Sequence, residues 1–466
     1  ELLAGIPLAR MNTSMTINAP AAWLLALYVA LAEKQGAPRA ELAGTTQNDV
    51  LKEYLARGTH IFPPKPSLKL TADTIAFSAR EMPKWNPVNV CSYHLQEAGA
   101  TPPEEVAFAL ANAIAVLDAV KSSGQVATAE FPALLGRISF FVNAGVRFVT
   151  EVCKMRAFAL LWDEIARERY GVADAKLRRF RYGVQVNSLG LTEQQPENNV
   201  YRILLSMLGV VLSKDTRARA VQLPAWNEAL GLPRPWDQQW SIRLQQIVAF
   251  ETDLLEFPDI LAGSSVIEAK TEEIRRAARA EMAAIAAMGG AVAAIESGYM
   301  KRRLVESNAR RLAEIESGAR QVVGVNCFTA ADPSPLAAGG AEYLSPDSAA
   351  EAEQIRKLAA WRARRDGAAV EAALSGLERA AREGLNVMEP SIACARAGVT
   401  TGEWADVLRR VFGEYRAPTG IAGARAGDSA GLSELRAQVR ALSARLGRPP
   451  RLLMAKPGLD GHSNGA

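Results

Sequence analysis

From residue 10 to residue 257, short runs with strand character alternate with longer helical stretches, and this alternation limits the fold more than any other property of the chain. The strand-like runs are 10–17, 42–46, 87–93, 137–142, 179–186 and 219–223. The helical stretches that follow them are 21–35, a run ending at Arg57, one opening at Thr101, then 146–169, 198–212 and 237–256. Thr101, Pro102 and Glu104 make a clear start signal, because Thr can cap, Pro suits the first turn and Glu completes a capping box. Strands separated by crossover helices imply a parallel sheet, and a parallel barrel closes with eight such units. Six are present. The expectation is therefore an α/β fold, a (β/α)8 TIM-type barrel whose first two units would lie before Glu1. On pattern alone, an open six-stranded doubly wound sheet is the alternative.

After residue 257 the strand signal fades. Residues 268–318 are rich in Ala, Glu and Arg and are interrupted at Met288-Gly289-Gly290, which predicts two helices. A Pro/Gly/Ala loop at 331–340, a helical stretch at 351–383, a Gly/Ala-rich link at 417–431 and a helix at 432–446 follow. Pro449-Pro450 then precede an apolar run, 452–455, with the character of a first strand. The expected divisions are a partial barrel at 1–260, a helical linker region at 261–448, and the first strand and loop of a truncated Rossmann-like domain at 449–466.

At 466 residues, 49% hydrophobic and 22% charged, the composition is that of a globular protein larger than one compact domain. The net charge of +4 is small, and Arg178, Arg179, Arg181, Arg217 and Arg219 lie beside strand-like runs. Charged strand rims explain them better than nucleic acid does. The longest apolar run, 21–32, falls short of the roughly 18 residues a membrane span requires, so a buried helix is expected and no membrane. Cys91, Cys153, Cys327 and Cys394 are far apart without metal-ligand spacing, which fits a reducing cytoplasm.

Three constellations carry chemistry. Asp460-x-His462-x-x-Gly465 matches a signature in which a protein histidine ligates the metal of cobalamin. An imidazole binds metal through one nitrogen while the other donates to a carboxylate, here Asp460, which Lys456 can hold in turn. The second runs from Cys91 through Tyr93, His94 and Glu97 to Ala100, at the carboxyl end of a predicted strand, the edge where barrel enzymes place catalytic groups. The third is Thr45-Thr46-Gln47-Asn48-Asp49, with Arg57 ten residues beyond Gln47. An amide and a guanidinium suit a carbonyl and a carboxylate. On spacing alone, a helix cap at Asn48 or Asp49 and a solvated Arg57 explain the third equally well.

These residues, with the run from Met11 to Asn18, Trp404 within Thr400-Thr401-Gly402-Glu403, and Phe412-Gly413-Glu414, resemble the adenosylcobalamin-dependent acyl-CoA mutases along essentially the whole chain. The resemblance implies a barrel around the pantetheine arm of CoA, a helical linker and a cobalamin domain. It implies that His94 and Gln47 hydrogen-bond the thioester carbonyl, Arg57 binds the free carboxylate, and Tyr93 packs between substrate and cofactor. Ser14, Thr16, Thr45, Asn86, Arg137 and Ser139 would line the CoA channel, and Glu97 would lie near the corrin. Lys456, Asp460, His462 and Gly465 would form the cofactor loop, with His462 the lower axial cobalt ligand. An acyl-CoA substrate, a homodimer and a GTPase chaperone are the partners implied.

Two departures bear on substrate. Methylmalonyl-CoA-type members carry Arg-x-His-x-Gln where this chain has Arg181-Tyr182-Gly183-Val184-Gln185, and Ser-Leu-His-Thr-Asn where it has Ala220-Val221-Gln222-Leu223-Pro224. Residues 180–199 and 221–228 resemble the ethylmalonyl-CoA branch, which converts ethylmalonyl-CoA to methylsuccinyl-CoA. The expected function is that isomerisation, with methylmalonyl-CoA as the rival substrate and a non-catalytic CoA-binding or assembly protein as the rival class. Residues 1–466 alone are expected to show no turnover.

Overall fold

The computed structural model describes residues 2–186, 188–231, 233–330, 334, 348–417 and 430–450. Each of the six expected strand positions carries a strand. These are β1 (Asn12–Met15), β2 (Ala43–Thr46), a third strand split into β3 (Trp85–Asn86) and β4 (Asn89–Cys91), then β5 (Ser139–Ala144), β6 (Tyr182–Val186) and β7 (Val221–Gln222). All pairings are parallel, and the strand order, β1-β2-β3 in one sheet and β4-β5-β6-β7 in the other, is the order along the chain. A doubly wound sheet reverses its order at one point. Among the described residues no reversal occurs, so that alternative does not describe this sheet.

The split falls at Pro87, which has no N–H to give to a ladder. Hydrogen bonding nevertheless passes through the break. The Gln47 carbonyl accepts from Asn89 N at 2.8 Å, and the Val88 carbonyl accepts from Ser139 N at 3.3 Å. The two sheets thus meet in a seam at residues 86–89. Beside it, Gly44 of β2 pairs with Thr13 and Trp85. A Cβ there would collide with the Thr13 carbonyl oxygen and approach the Trp85 ring to 2.5 Å, so glycine is required for the three strands to flank one another. β6 shows the usual alternation: Tyr182, Val184 and Val186 are buried, with Gly183 and Gln185 on the other face.

The helices between and after the strands are α1 (Ala21–Lys34), α2 (Pro64–Glu81), α3 (Tyr93–Glu97), α4 (Pro102–Ser123), α5 (Phe131–Leu135), α6 (Phe148–Glu164), α7 (Asn199–Val211) and α8 (Pro235–Phe250). At the start of α4 the Glu104 carboxylate accepts from the Thr101 N–H at 2.9 Å and its hydroxyl at 2.8 Å. By length and composition α4 could cross a bilayer, yet most of its apolar surface is buried, and it packs against α2, α6 and α9 (Ser265–Ala287).

Beyond the sheet region the structure departs from expectation in two places. Three helices, not two, occupy residues 268–318, namely α9, α10 (Ala291–Glu296) and α11 (Tyr299–Glu316). Gly289 and Gly290 make the first break at φ 99° and 93°, and Gly298 makes a second at φ 72°. The helix expected over 351–383 divides into Ser348–Arg364 and Gly367–Arg382, because the Asp366 carboxylate accepts the N–H groups of Ala368 and Ala369 at 2.9 and 3.1 Å. The helices Gly367–Arg382, Met388–Ala397 and Thr401–Phe412 build a second core against α1. At its centre Trp23 and Trp404 stack at 6.0 Å, with Trp23 Nε1 donating to Thr401 Oγ1 and Trp404 Nε1 to Ser391 Oγ, both at 3.0 Å. Most of the expected loop at 331–340 and of the link at 417–431 lies outside the described residues, as do the 452–455 strand and Lys456, Asp460, His462 and Gly465.

Candidate active site

The carboxyl end of β2 turns sharply. Gln47 still donates its N–H to Met15 O at 2.9 Å, but Asn48 takes a left-handed conformation at φ 52°. Its amide nitrogen faces the carbonyls of Thr71 and Pro87, each at 3.4 Å, rather than capping a helix. The chain becomes helical at Leu51 and ends in a π-helical turn, Glu53–Arg57, closed by Gly58 at φ 70°. Such turns often accompany functional sites. Here the turn ends at Arg57.

From the other sheet, β4 ends at Cys91 and α3 begins. Ser92 fixes the junction, its N–H donating to Phe141 O at 2.9 Å and its hydroxyl to Glu105 at 2.8 Å. His94 is 2% exposed. Its Nε2 lies 2.6 Å from Arg57 Nη1, and its Nδ1 lies 3.2 Å from Lys52 Nζ and 3.5 Å from Cys91 Sγ. The Tyr93 ring covers the imidazole at 3.8 Å between centroids and meets the edge of Phe141 at 5.7 Å. Burial, helped by the neighbouring Cys91 and Glu97, pushes the Tyr93 phenol far above its ordinary range, so it is a neutral wall.

Gln47, Arg57, Tyr93 and His94 therefore converge. What holds them was not expected. Lys52 is completely buried and donates to Gln47 Oε1 at 2.7 Å, with Glu53 Oε1 3.3 Å away. Asn18 donates to Gln47 Oε1 at 3.0 Å and to Glu53 Oε1 at 2.6 Å, and its own carbonyl oxygen accepts from Asp49 N at 3.1 Å. Asp49 Oδ2 accepts from Cys91 N at 2.8 Å, a side chain replacing a strand in the ladder, while Oδ1 has no partner. Burial raises this carboxyl to about 6, against the opposing charge of Lys52. The signal was present: Lys52 and Glu53 stand inside an otherwise apolar run, Val50, Leu51, Tyr54 and Leu55, where a charged pair must be buried together.

The expected channel residues form a polar row. Ser14, Thr45 and Asn86 are in register across β1, β2 and β3. Ser139 continues the row across the seam, its hydroxyl donating to the Asn86 amide oxygen at 2.5 Å and accepting from Asn89 Nδ2 at 2.8 Å. Thr16 is exposed, one residue past β1. Arg137 sits beside the row but turns its guanidinium to backbone, donating to Trp85 O at 3.1 Å and Met82 O at 2.9 Å. At the carboxyl edge, Tyr93, Glu97, Gln185, Ser188, Gln222 and Glu228 line a cavity of about 230 Å³. Gln185 and Gln222 are paired in register there. Nearby, a Cβ on Gly183 would stand 3.0 Å from two atoms of the Phe141 ring, so that ring occupies the space a larger residue at this position would need.

The family model described as methylmalonyl-CoA mutase matches residues 1–414. The chain is 64% identical over 461 residues to the ethylmalonyl-CoA mutase of Cereibacter sphaeroides, covering 99% of this chain and 70% of that one. It is 64% identical to the ethylmalonyl-CoA mutase of Methylorubrum extorquens, covering 99% and 67%. Similarity to the methylmalonyl-CoA mutase of Cereibacter sphaeroides is lower, 37% over 470 residues, covering 64% of that protein. With a family model over most of its length and relatives this similar, the chain belongs to the methylmalonyl-CoA mutase family.

Proposed function

We propose that the protein isomerises ethylmalonyl-CoA to methylsuccinyl-CoA, with adenosylcobalamin as cofactor. One observation carries the reading: a guanidinium, an imidazole and an amide meet at one end of a polar row, a set suited to a molecule with a carboxylate and a thioester carbonyl. Similarity to the two ethylmalonyl-CoA mutases supports the substrate. So does Gly183, because a histidine in its place would have to displace Phe141, the ring that braces Tyr93. The chain-ordered parallel strands are, on this reading, one arc of a (β/α)8 barrel. Residues 261–448 are its linker and 449–466 the start of a cobalamin domain.

The cavity at the carboxyl edge offers amides from Gln185 and Gln222 and carboxylates from Glu97 and Glu228, donors and acceptors that fit the carboxamide rim of a corrin. When bound, adenosylcobalamin supplies the radical chemistry that removes a substrate hydrogen and later returns it. The protein does the rest by holding the two ends still. Arg57 binds the carboxylate. His94 and Gln47 donate to the thioester oxygen as the thioester group moves to the neighbouring carbon. Gln47 can donate because Lys52 and Asn18 both occupy its oxygen, which directs its NH2 elsewhere. Tyr93 closes the site against water. On the same reading the enzyme is a cytoplasmic homodimer served by a GTPase chaperone, and His462, with Lys456, Asp460 and Gly465 of the same sequence signature, would hold the cobalt of the cofactor. The test is turnover by the intact gene product with adenosylcobalamin, followed by mass spectrometry of the CoA esters. Formation of methylsuccinyl-CoA is expected; conversion of methylmalonyl-CoA alone would refute the substrate assignment.

A further inference from the structure

We propose that Lys52 is a positioning residue that holds His94 in the tautomer with its proton on Nε2, so that the imidazole faces the thioester oxygen as a donor. The inference rests on the functional reading above for what Nε2 meets, but not for the tautomer itself. A neutral imidazole has one N–H and one bare nitrogen, whereas a lysine ammonium has three donors and no acceptor. Lys52 Nζ stands 3.2 Å from Nδ1. The Cys91 thiol lies 3.5 Å from the same nitrogen, and burial raises that thiol to about 12, so it keeps a proton that it can offer there. With the lysine ammonium facing it, Nδ1 is placed to accept, which leaves the proton for Nε2.

Arg57 complicates this in an informative way. Its Nη1 lies 2.6 Å from Nε2, and a guanidinium too is donor-only. The imidazole cannot accept from both cations and stay neutral, so one of the two contacts opposes the hydrogen-bonding pattern. Lys52 is the better anchored. It is completely buried, and its ammonium is held by Gln47 at 2.7 Å with Glu53 3.3 Å away. Arg57 is only partly buried, and its Nε has no hydrogen-bond partner. Lys52 therefore sets the tautomer, and the Arg57 contact is the one that gives way. A substrate carboxylate would draw the guanidinium off the ring and free Nε2–H for the carbonyl. The site is arranged so that binding one end of the substrate releases the donor for the other.

The chain has three histidines, which makes the test direct. Histidine labelled with nitrogen-15 is introduced and the long-range proton–nitrogen spectrum recorded without substrate, His94 being assigned by its loss in His94→Gln. The unsubstituted chain should show Nε2–H with a bare Nδ1. Lys52→Met, which removes the donor, should move proton population to Nδ1. Lys52→Gln, whose amide can still donate to Nδ1, should keep Nε2–H. In the intact enzyme Lys52→Met should lower kcat about tenfold or more with a smaller change in KM. An Nδ1–H signal in the unsubstituted chain, or a Lys52→Met spectrum identical to it, overturns the proposal. Should Lys52→Met not fold, Nδ1–H in the unsubstituted or the Lys52→Gln spectrum overturns it and Nε2–H in both supports it. None of these spectra requires turnover, so failure on ethylmalonyl-CoA would sink the substrate reading and leave this result standing.

Discussion

Replacing Arg57 by Ala separates the two halves of the site with a single pair of titrations. The guanidinium is partly buried at the end of the π-helical turn, where a carboxylate reaching it forms charge-assisted hydrogen bonds. Such bonds contribute about 1.5–3 kcal/mol each. Taking ~3 kcal/mol for the pair, after allowing for residual water, gives a loss of affinity on the order of 10²-fold. The loss should be selective. Butyryl-CoA has the same thioester and acyl chain but no free carboxylate, so its affinity should change by less than about threefold. Isothermal titration of both thioesters into both proteins gives the four values needed. Arg57→Lys should fall between, because an ammonium keeps the charge but loses the planar fork. If Arg57→Ala weakened both ligands equally, or neither, Arg57 would not be the carboxylate's partner.

Two further substitutions test the framework. The Asp49 carboxyl is raised by burial to about 6, above an unfolded value of about 3.9, so its stability contribution is full below about 3.9 and lost as pH rises through 6. Asp49→Asn should flatten the decline in Tm across that window, and a variant with an unchanged decline would contradict the assignment. Trp404→Ala should cost about 3–5 kcal/mol in urea unfolding, because a fully buried indole stacked on Trp23 is removed; a loss below about 1 kcal/mol would show that the second core does not depend on it.

The strands were legible because each combined apolar alternation with a helical stretch behind it. Gln47, Tyr93 and His94 were legible because each stands just beyond a strand, at the edge where such folds place their chemistry, whereas Arg57, at the far end of a helical turn, was placed with them by the resemblance alone. Lys52, Glu53 and Asn18 were not recognised, since a buried charge in a helix shows its meaning only once its partners from other elements are in place. The break at Gly298 was also missed, because one glycine in an Ala- and Arg-rich stretch does not predict a helix end without its positive φ. The capping Asp366 was visible in principle, being a good N-cap residue followed by Gly367-Ala368-Ala369, but continuous helix propensity on both sides hid it.

The division of the third strand at Pro87 assigns the clamp to two owners. Gln47 and Arg57 travel with one sheet and His94 with the other, while the Gln47 carbonyl and the Asp49 carboxylate are the stitches between them. A shift of one half against the other by about an ångström would spoil the grip on both ends of a ligand together, although no residue touching it had changed. Substitutions around Pro87 and Val88 are thus where catalytic alignment could be lost, or retuned for a longer or shorter acyl group, from outside the pocket.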